Sequence, residues 1–495
     1  METKENRISS GIKEFNQILN GGFIPERAYL VRGGPGTGKT TLGLHFLEKG
    51  LKNNEDCLLI TMTEPKEKLK KDAENRGFDL NGLHNIDLSP NSNFIESGED
   101  YNMFPSNQVE QKPIIEKITK KIKDINPDRL FFDGVIQLKY LSADSFQFRK
   151  QILSLIQFTL NQETTILLSS EASKSNPDND LQFLADGVIN LKFNQNQRKI
   201  YISKFRGSSF QQGEHSFELN AKGLKVFPKL KPYFHEKKYT NDSISAGVDE
   251  IDALLHGGIE RGTTSIISGP SGVGKTTLGI QFMNEASSRG ENSVVYTFEE
   301  SKEILTKRSE SINIPISKMS EKNNLSIKHI NPLNYSPDKF SMEVREDVEK
   351  NDASIVMIDS ISGYKLAFQN YSYTEKEMID HLHLLAEYLK NMGVTVILIN
   401  EIKNITGTFR ATDVNISYLA DNIIFLRYLE MEGKLMKTIG VLKKRLSDFE
   451  NFMRKFKITQ KGIKVGDPLT GLRGILSGTP EFIKDHSIKD INKNE

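Results

Sequence analysis

The sequence predicts an α/β protein with two tandem domains, each built on a mainly parallel central sheet flanked by helices. Three observations lead to this fold class. The chain of 495 residues contains an internal repeat. Each copy alternates short β-branched runs with longer helical patterns, as parallel sheets with helical crossovers do. Finally, a phosphate-binding motif follows the first long strand pattern of each copy.

The repeat is strongest near the start of each copy. ISSGIKEFNQILNGG (8–22) reads like ISAGVDEIDALLHGG (244–258), and GGPGTGKTTLGLHF (33–46) matches GPSGVGKTTLGIQF (269–282) at the same offset. Further along, RLFFDG (129–134) matches IVMIDS (355–360), and Lys204 matches Lys443. We therefore predict a first domain over 1–225, a linker over 226–242, a second domain over 243–466 and a C-terminal tail over 467–495.

Composition excludes several classes of protein. The chain carries 66 Lys+Arg against 65 Asp+Glu, a net charge of +1, which argues against a dedicated nucleic-acid binder. The single cysteine, Cys57, excludes an intrachain disulfide and Cys-based zinc sites. No apolar run approaches the roughly 18–20 residues of a membrane span. We expect a soluble, cytoplasmic protein with neither membrane nor nucleic acid as a partner.

Hydrophobic patterns place the elements within each copy. Five β-branched runs of the second copy predict buried strands at 264–268, 293–298, 355–358, 394–399 and 422–426. A core-facing helix stripe is predicted from the spacing of Met378, Leu382, Leu385 and Leu389. In the first copy, we expect Pro113 to open a helix with one apolar face formed by Ile114, Ile118, Ile122 and Ile125.

Both copies contain a complete P-loop between a predicted strand and a predicted helix. The glycines let backbone N–H groups approach phosphate oxygens, the lysine neutralises the β- and γ-phosphates, and the threonine hydroxyl binds Mg²⁺. The helix that follows directs its positive end at the same charge. The pattern therefore predicts ATP and Mg²⁺ as ligands. The candidate ATP-binding residues are Gly33, Gly34, Pro35, Gly36, Thr37, Gly38, Lys39, Thr40, Thr41, Gly269, Pro270, Ser271, Gly272, Val273, Gly274, Lys275, Thr276 and Thr277.

Acidic residues at strand ends complete the predicted sites. Asp133 and Asp359 each end an apolar run, where a P-loop protein places its magnesium carboxylate beside the P-loop threonine. The predicted metal sites are Thr40 with Asp133 and Thr276 with Asp359. Phosphoryl transfer also needs a group that orients or deprotonates the nucleophile. The candidate catalytic residues are Glu299, Glu300, Glu64, Lys275 and Lys39.

The acidic pair differs between the copies. Glu299 and Glu300 follow a predicted strand in the second copy, whereas Thr63 and Glu64 stand there in the first. An acidic pair after a strand could instead begin a solvent-exposed helix. We expect the two copies to differ in activity because one of the two carboxylates is absent from the first.

Taken together, these residues resemble the KaiC family of bacterial clock ATPases and autokinases. Each P-loop domain opens with the pattern I-S-x-G-h-x-E-h…G-G and has its acidic position after the second strand, and the resemblance extends over roughly 8–480. It implies a RecA-like P-loop NTPase fold in each copy and a two-tiered homohexamer with ATP at the subunit interfaces. It also implies slow ATP hydrolysis in the first domain and Ser/Thr autokinase activity in the second.

The resemblance assigns further residues to contacts between subunits. SKFRGSS (203–209) is similar to the family segment that reaches the nucleotide on a neighbouring subunit. It makes Lys204 and Arg206 candidates for contacts in trans, and Lys443 and Arg445 their counterparts. Leu446 replaces the glycine of this segment in the second copy. A K-x-R pair on a strand could also be a solvated face.

The segment TDVNISY (412–418) matches the family's phosphoacceptor segment. Ser417 stands where the family's phosphoserine stands, and Thr412 matches a nearby threonine. Tyr418 replaces the adjacent phosphothreonine, which leaves a two-site phosphorylation cycle open. In the second domain, Glu299 would take the proton from Ser417 of the neighbouring chain, and Glu300 would act electrostatically.

Two segments are candidates for protein regulators. Residues 89–112 are polar and insertion-like, at a position near the outer rim of the first tier in the family, although a plain surface loop fits as well. The tail, 467–495, resembles a regulatory tail. Two other functions stay open. One is an ATP-gated hexameric scaffold for signalling partners without kinase activity. The other is a RecA-like ATPase acting on DNA, which the balanced charge disfavours.

Overall fold

The computed structural model describes residues 7–89, 111–171, 177–194, 197–234, 236–240, 242–371, 373–402, 416–431, 433–470, 472–473 and 481–482. The chain divides into two compact units, residues 1–229 and 230–495. The predicted linker, 226–242, overlaps this division. Residues 90–110 of the predicted outer loop, Thr412 and most of the predicted tail lie outside the described residues.

The first unit is built on one nine-stranded sheet. Its order is β3-β2-β4-β5-β1-β6-β7-β8-β9. The pairs from β3 to β6 are parallel, and β6 to β9 form an antiparallel meander. The strands are β1 (Ala28–Gly33), β2 (Cys57–Thr61), β3 (His84–Asp87), β4 (Arg129–Asp133), β5 (Thr165–Glu171), β6 (Gly187–Asn194), β7 (Gln197–Phe205), β8 (His215–Asn220) and β9 (Gly223–Phe227).

Helices cover both faces of this sheet, because the parallel strands are buried on both sides and need crossover helices. The α-helices of the first unit are α1 (Lys13–Ile18), α2 (Lys39–Lys52), α3 (Lys66–Asn75), α4 (Gln111–Ile125), α5 (Ser145–Leu160) and α6 (Asn179–Leu184). A short 3₁₀ helix spans Val135–Lys139, and another, in the second unit, spans Pro232–Phe234.

The second unit repeats this topology. Its large sheet has the order β14-β13-β15-β16-β12-β17-β18-β19-β20. The strands of the unit are β10 (Ser243–Ile244), β11 (Ile259–Glu260), β12 (Thr264–Gly269), β13 (Asn292–Thr297), β14 (Leu325–His329), β15 (Ala353–Asp359), β16 (Thr395–Glu401), β17 (Asn422–Met431), β18 (Lys434–Lys444), β19 (Arg454–Thr459), β20 (Gly462–Pro468), β21 (Leu472–Arg473) and β22 (Glu481–Phe482). Its helices are α7 (Asp249–Leu254), α8 (Lys275–Ser288), α9 (Lys302–Glu310), α10 (Ile316–Glu321), α11 (Pro337–Asn351), α12 (Ile361–Asn370) and α13 (Glu375–Asn391).

The predicted fold class is confirmed by these two sheets, which have the arrangement of tandem RecA-like P-loop domains. The predicted helix stripe is also confirmed, since four buried residues of α13 form it: Met378, Leu382, Leu385 and Leu389. The prediction that Pro113 opens its helix is wrong by two residues, because α4 begins at Gln111. A proline is tolerated there because first-turn N–H groups have no intrahelical acceptor.

Sheet topology brings the predicted sites together. In each sheet, one parallel strand lies between the P-loop strand and the strand that ends in the candidate magnesium-binding aspartate. It is β5 between β1 and β4 in the first sheet, and β16 between β12 and β15 in the second. The carboxyl ends of parallel strands lie at the same edge, so the P-loop and the strand-end acids converge there. Among the described helices, none is long and apolar enough to cross a membrane.

Candidate functional site

Each P-loop wraps tightly around the end of its strand. Gly38 and Gly274 cap α2 and α8 with φ of 101° and 118°, in the left-handed region that favours glycine. A Cβ at Gly33 would lie 2.5 Å from the carbonyl oxygen of Leu191, and one at Gly269 would lie 2.5 Å from that of Leu426. The motif glycines are therefore required by backbone geometry as well as by space for phosphate.

The P-loop lysines occupy the phosphate cradle. Lys39 Nζ donates hydrogen bonds to the carbonyl oxygens of Gly33 at 3.0 Å and Gly34 at 2.9 Å. Lys275 Nζ donates to the carbonyl oxygen of Pro270 at 2.9 Å. Burial lowers the pKa of both lysines. A triphosphate in the cradle would supply negative charge that favours the protonated form of both lysines.

The predicted metal residues meet in both units. The Thr40 hydroxyl donates to the Asp133 carboxylate at 2.8 Å, and the Thr276 hydroxyl donates to Asp359 at 2.7 Å. Burial raises the pKa of Asp133. Burial also raises the pKa of Asp359 to about 6, a rise opposed by the Thr276 hydrogen bond and increased by repulsion from glutamates. A bound cation would favour the charged form of both carboxylates.

The donor set of these pairs fits magnesium. A hydroxyl and a carboxylate oxygen beside a phosphate cradle match the preference of Mg²⁺ for few protein ligands, several waters and substrate phosphates. Nowhere in the described part of the chain do three His, Cys, Asp or Glu residues cluster as an all-protein metal cage would require. We therefore assign Thr40 with Asp133 and Thr276 with Asp359 as the residues that would hold Mg²⁺ together with ATP.

In the second unit, two glutamates follow β13 at the site. Glu299 accepts a hydrogen bond from the Ser360 hydroxyl at 2.7 Å, next to Asp359. Glu300 forms an ion pair with Arg308 on α9. One oxygen of Glu300 and two nitrogens of Arg308 are buried and have no hydrogen-bond partner within the described residues. The hydrogen bond from Ser360 orients Glu299, and the Glu299 side chain is exposed, as a general base needs.

The same positions of the first unit are built differently. Thr63 takes the place of Glu299, and Gly134 takes that of Ser360. A Cβ at Gly134 would lie 2.5 Å from Thr63 Cγ2, so Thr63 and Gly134 are in close contact. This contact stands where the second unit has the hydrogen bond between Ser360 and Glu299. Glu64 pairs with Lys68 at 3.2 Å, one helical turn further along. Among the described residues, Glu64 accepts no hydrogen bond from a serine in the way that Glu299 accepts one from Ser360.

A cleft of about 460 Å³ surrounds the first P-loop. Its lining includes Lys39, Thr40, Glu64 and Asp133, so these four candidate residues share one concavity. Arg76 also lines the cleft and donates a hydrogen bond from Nη1 to the Thr41 hydroxyl at 3.0 Å. The lining therefore combines charged and polar groups with the apolar side chains of Leu44, Leu69, Ala73 and Leu219.

The candidates for contacts in trans lie elsewhere in each unit. In the strand register, Lys204 of β7 lies opposite Val188 of β6, and Val188 lies opposite Leu30 of β1. Leu30 precedes the first P-loop glycine by three residues. At about 3.3 Å per residue, that is about 10 Å back along the strand. Lys443 has the same place in the second sheet, beside Ile423. These lysines are thus at the amino edge of the sheet, away from the phosphate cradle of their own unit.

At this amino edge the basic residues bind backbone carbonyls. Lys204 Nζ donates to the carbonyl oxygens of Gln182 and Phe183, each at 3.0 Å. Lys443 Nζ donates to those of Ser417 at 3.0 Å and Ala420 at 2.6 Å. Arg206 and Arg445 form ion pairs with Asp186 at 3.6 Å and Asp421 at 3.4 Å, respectively.

Ser417 lies on the same edge, in a turn before β17, and its side chain is exposed. Arg445 Nη2 donates to the carbonyl oxygen of the next residue, Tyr418, at 3.1 Å. The structure therefore places the candidate phosphoacceptor beside Lys443 and Arg445 and away from the P-loop of its own unit.

Sequence reasoning missed Glu171 and Glu401, which end β5 and β16. Glu171 lies opposite Gly33 in the strand register, and Glu401 lies opposite Gly269. The negative charge of each glutamate raises the pKa of its P-loop lysine and so opposes the lowering caused by burial. A signal was present, because TILLSSE (165–171) and TVILINE (395–401) both begin with threonine and end with glutamate.

A second pair of missed residues touches the P-loops from the antiparallel hairpins. Arg198 Nη1 donates to the carbonyl oxygen of Gly36 at 2.6 Å, and Lys437 Nζ donates to that of Gly272 at 2.8 Å. Gly36 and Gly272 are the matching fourth residues of the two motifs. The contact is repeated in both units although the cation differs, so it belongs to the shared architecture of the site.

Comparison with known proteins gives a consistent result. A family model described as "ATPase: KaiC" matches twice, over residues 8–231 and 244–470. The circadian clock protein KaiC3 of Synechocystis sp. is 26% identical over 501 residues, covering 98% of this chain and 97% of the relative. The circadian clock oscillator protein KaiC of Acaryochloris marina is 25% identical over 503 residues, with coverage of 98% and 94%. KaiC of Synechococcus elongatus is 26% identical over 493 residues, with coverage of 96% and 92%.

Proposed function

The chain belongs to the KaiC ATPase family, and on that premise we propose that it is an ATP-dependent Ser/Thr autokinase with a slow ATPase. The second unit transfers the γ-phosphoryl group of Mg-ATP to Ser417 of a neighbouring copy, and the first unit hydrolyses ATP. The observation that carries this proposal is the Glu299 carboxylate, oriented by Ser360 at 2.7 Å beside the Thr276–Asp359 pair. Thr63 occupies the matching place of the first unit.

In the second unit each residue has a separate task. Lys275 and the P-loop N–H groups hold the triphosphate, and Mg²⁺ held by Thr276 and Asp359 would neutralise charge on the β- and γ-oxygens. Glu299 accepts the proton of the incoming hydroxyl while the oxygen attacks the γ-phosphorus and ADP leaves. Glu300, paired with Arg308, keeps negative charge near the metal residues. Positioning and charge neutralisation supply most of the rate in such transfers.

The acceptor and the cradle belong to different copies in this proposal. Ser417 lies at the amino edge of its sheet, whereas the P-loop of the same unit lies at the carboxyl edge. We propose that copies assemble as a homohexamer with ATP at the interfaces, so that each amino edge faces the next cradle. Lys443 and Arg445 would then reach the γ-phosphate of the neighbour, as Lys204 and Arg206 would in the first tier.

Phosphorylation of this kind would serve signalling or clock-like regulation. The relatives matched here are described as circadian clock proteins. Residues 89–112 and the tail, 467–495, stay our candidates for the attachment of protein regulators. Thr412 stays a second candidate acceptor. Tyr418, which follows Ser417, has a phenol in place of an aliphatic hydroxyl.

The test is incubation of the full chain with γ-³²P-labelled ATP and Mg²⁺, followed by peptide mapping. We expect label on the peptide that contains Ser417, none on that peptide in Ser417→Ala, and none in Lys275→Ala. Tyr418→Phe is the matched control, because it removes the neighbouring hydroxyl and should keep the label. Absence of label on the wild type, or equal label on Ser417→Ala, would contradict the kinase proposal.

One observation favours a second candidate function. The Thr63–Gly134 contact removes the oriented carboxylate from the first site, as expected for a unit that binds ATP to hold an assembly together. In that case the chain is an ATP-gated scaffold. Native mass spectrometry with and without ATP identifies it, because a scaffold forms hexamers with ATP while the labelling experiment gives no phosphoprotein.

A further inference from the structure

In the first unit, the carboxylates near the P-loop lysine differ from those in the second. Three carboxylates act on the pKa of Lys275, namely Glu401, Asp359 and Glu299 in that order. Among the described residues, two carboxylates act on the pKa of Lys39, namely Glu171 and Asp133. The carboxylate missing from the first unit is the one that Thr63 replaces. If this unit hydrolyses ATP, another group has to orient the attacking water.

Asp133 is not available for that task. One of its oxygens accepts a hydrogen bond from Thr40 at 2.8 Å, and the other accepts one from the Ser169 hydroxyl. Ser169 is itself held by the backbone N–H of Gly134 at 2.7 Å. The carboxylate is buried with 3% of the residue exposed, and both oxygens are engaged. It is arranged to hold a metal, not to accept a proton from water.

Glu64 is also poorly arranged for it. Its side chain is 43% exposed and pairs with Lys68 at 3.2 Å, on the first turn of α3. It acts on the pKa of Asp133 but is not among the charges that act on Lys39. The Glu64 carboxylate is thus engaged in an ion pair with a lysine of α3.

Glu171 has the required position. It ends β5, the strand between the P-loop strand and the strand of Asp133, and is paired in register with Gly33. It lines the cleft with Lys39, Thr40 and Asp133, and its side chain is exposed. Among the described residues its carboxylate has no hydrogen-bond partner. An exposed carboxylate without a hydrogen-bond partner among the described residues thus lies in the same cleft as the P-loop lysine.

We propose that Glu171 is the catalytic base of the first unit, replacing the glutamate that Thr63 lacks. Its carboxylate accepts one proton from a water molecule as the water oxygen forms a bond to the γ-phosphorus. The bond from that phosphorus to the bridging oxygen breaks, its electron pair goes to ADP, and inorganic phosphate is released. Glu171 then returns its proton to solvent. This inference rests on the proposed ATPase activity and assigns its base.

The test uses the full chain with Lys275→Ala, so that phosphate release reports the first site alone. In this background we expect Glu171→Gln to lower kcat at least tenfold. The Kd for ATP should stay within twofold or tighten, because the substitution removes a negative charge near the triphosphate. A structural defect would instead weaken binding. Glu116→Gln, an exposed glutamate on α4, is the matched control and should keep the rate.

Other outcomes overturn the inference. Glu171→Gln with an unchanged kcat would do so, as would a tenfold loss in Glu64→Gln but not in Glu171→Gln. A Lys275→Ala chain that binds ATP and releases no phosphate would also overturn it, because the first unit would then need no base. The kinase proposal is judged separately from the label on Ser417 in chains with an intact second site, so the two failures are distinguishable.

Discussion

The two P-loop sites have the same phosphate cradle and differ in the groups that would activate the nucleophile. Both have a threonine–aspartate pair at 2.7–2.8 Å and a lysine bound to P-loop carbonyls. The second site adds Glu299, oriented by Ser360. The first has Thr63 against Gly134. The residues that we propose to bind ATP are thus shared by the two units, whereas the residues that we propose to activate the nucleophile differ.

The largest expected effect concerns Glu299. General-base catalysis contributes about 10²–10⁴-fold, so Glu299→Gln should lower labelling of Ser417 at least about 100-fold. The Kd for ATP should stay within twofold, because the cradle is intact. The matched change in the first unit is Thr63→Val, which removes no carboxylate and should change phosphate release less than threefold. A large loss in Thr63→Val would mean that the two positions do equivalent work.

A second difference predicts unequal acid stability. His45 on α2 accepts a hydrogen bond from the backbone N–H of Leu224 at 2.9 Å, and burial lowers the pKa of His45 to about 4. The matching residue of the second unit is Gln281, which does not titrate. The unfolded chain binds the proton from about pH 6.5 downward, so the stability due to neutral His45 is lost as the pH falls from 6.5 towards 4.

We therefore expect the free energy of unfolding of the first unit to fall by about 1–2 kcal/mol between pH 7 and pH 5 from this group. Hydrogen exchange of peptides from α2, compared with those from α8, measures the difference once exchange rates are corrected for pH. His45→Gln should remove the extra acid sensitivity of α2. An equal loss of protection in both helices, or the same loss in His45→Gln, would show that His45 is not the cause.

A smaller effect is expected at Ser360, which orients Glu299. Ser360→Ala should lower kcat for phosphoryl transfer about five- to tenfold and leave the KM for ATP within twofold, because it frees the base without altering the cradle. Ser360 also caps α12, so the substitution removes an N-cap hydrogen bond as well. Ser360→Thr keeps the hydroxyl and should recover the rate. Equal losses in both variants would indicate a structural role.

The smallest effect should come from Glu401, the counterpart of Glu171. With Glu299 present, Glu401→Gln should lower labelling of Ser417 less than threefold, whereas Glu171→Gln lowers hydrolysis at the first site at least tenfold. Initial rates of both reactions at saturating ATP measure this contrast. Similar losses at the two glutamates would mean that they have one shared role in both units, and that Thr63 is not what gives Glu171 its importance.

The sequence predicted whatever depends on local pattern and on the repeat. The P-loops, the two strand-end aspartates and the difference between Thr63 and Glu299 could be read directly, because contiguous residues form those features. The hydrogen bond between Ser360 and Glu299 could not, since it joins the ends of neighbouring strands. The role of Glu171 depends on its register with Gly33 across the sheet, and a strand-end glutamate alone does not reveal its neighbours.

The basic residues show the same limit. The motif identified Lys204, Arg206, Lys443 and Arg445, but only sheet topology shows that they lie at the edge opposite their own cradle. The start of α4 was misplaced by two residues, because proline is compatible with any position of the first turn. Thr412 lies outside the described residues and stays a prediction.

The central claim is that the second site of one copy phosphorylates Ser417 of another. The direct measurement mixes two full-length variants, Lys275→Ala as acceptor and Ser417→Ala as donor, with γ-³²P-labelled ATP, and locates the label by mass. We predict label on Ser417 of the Lys275→Ala chain in the mixture and none with either variant alone. Absence of label in a mixture shown by native mass to form mixed oligomers, while the wild type is labelled, would contradict the claim.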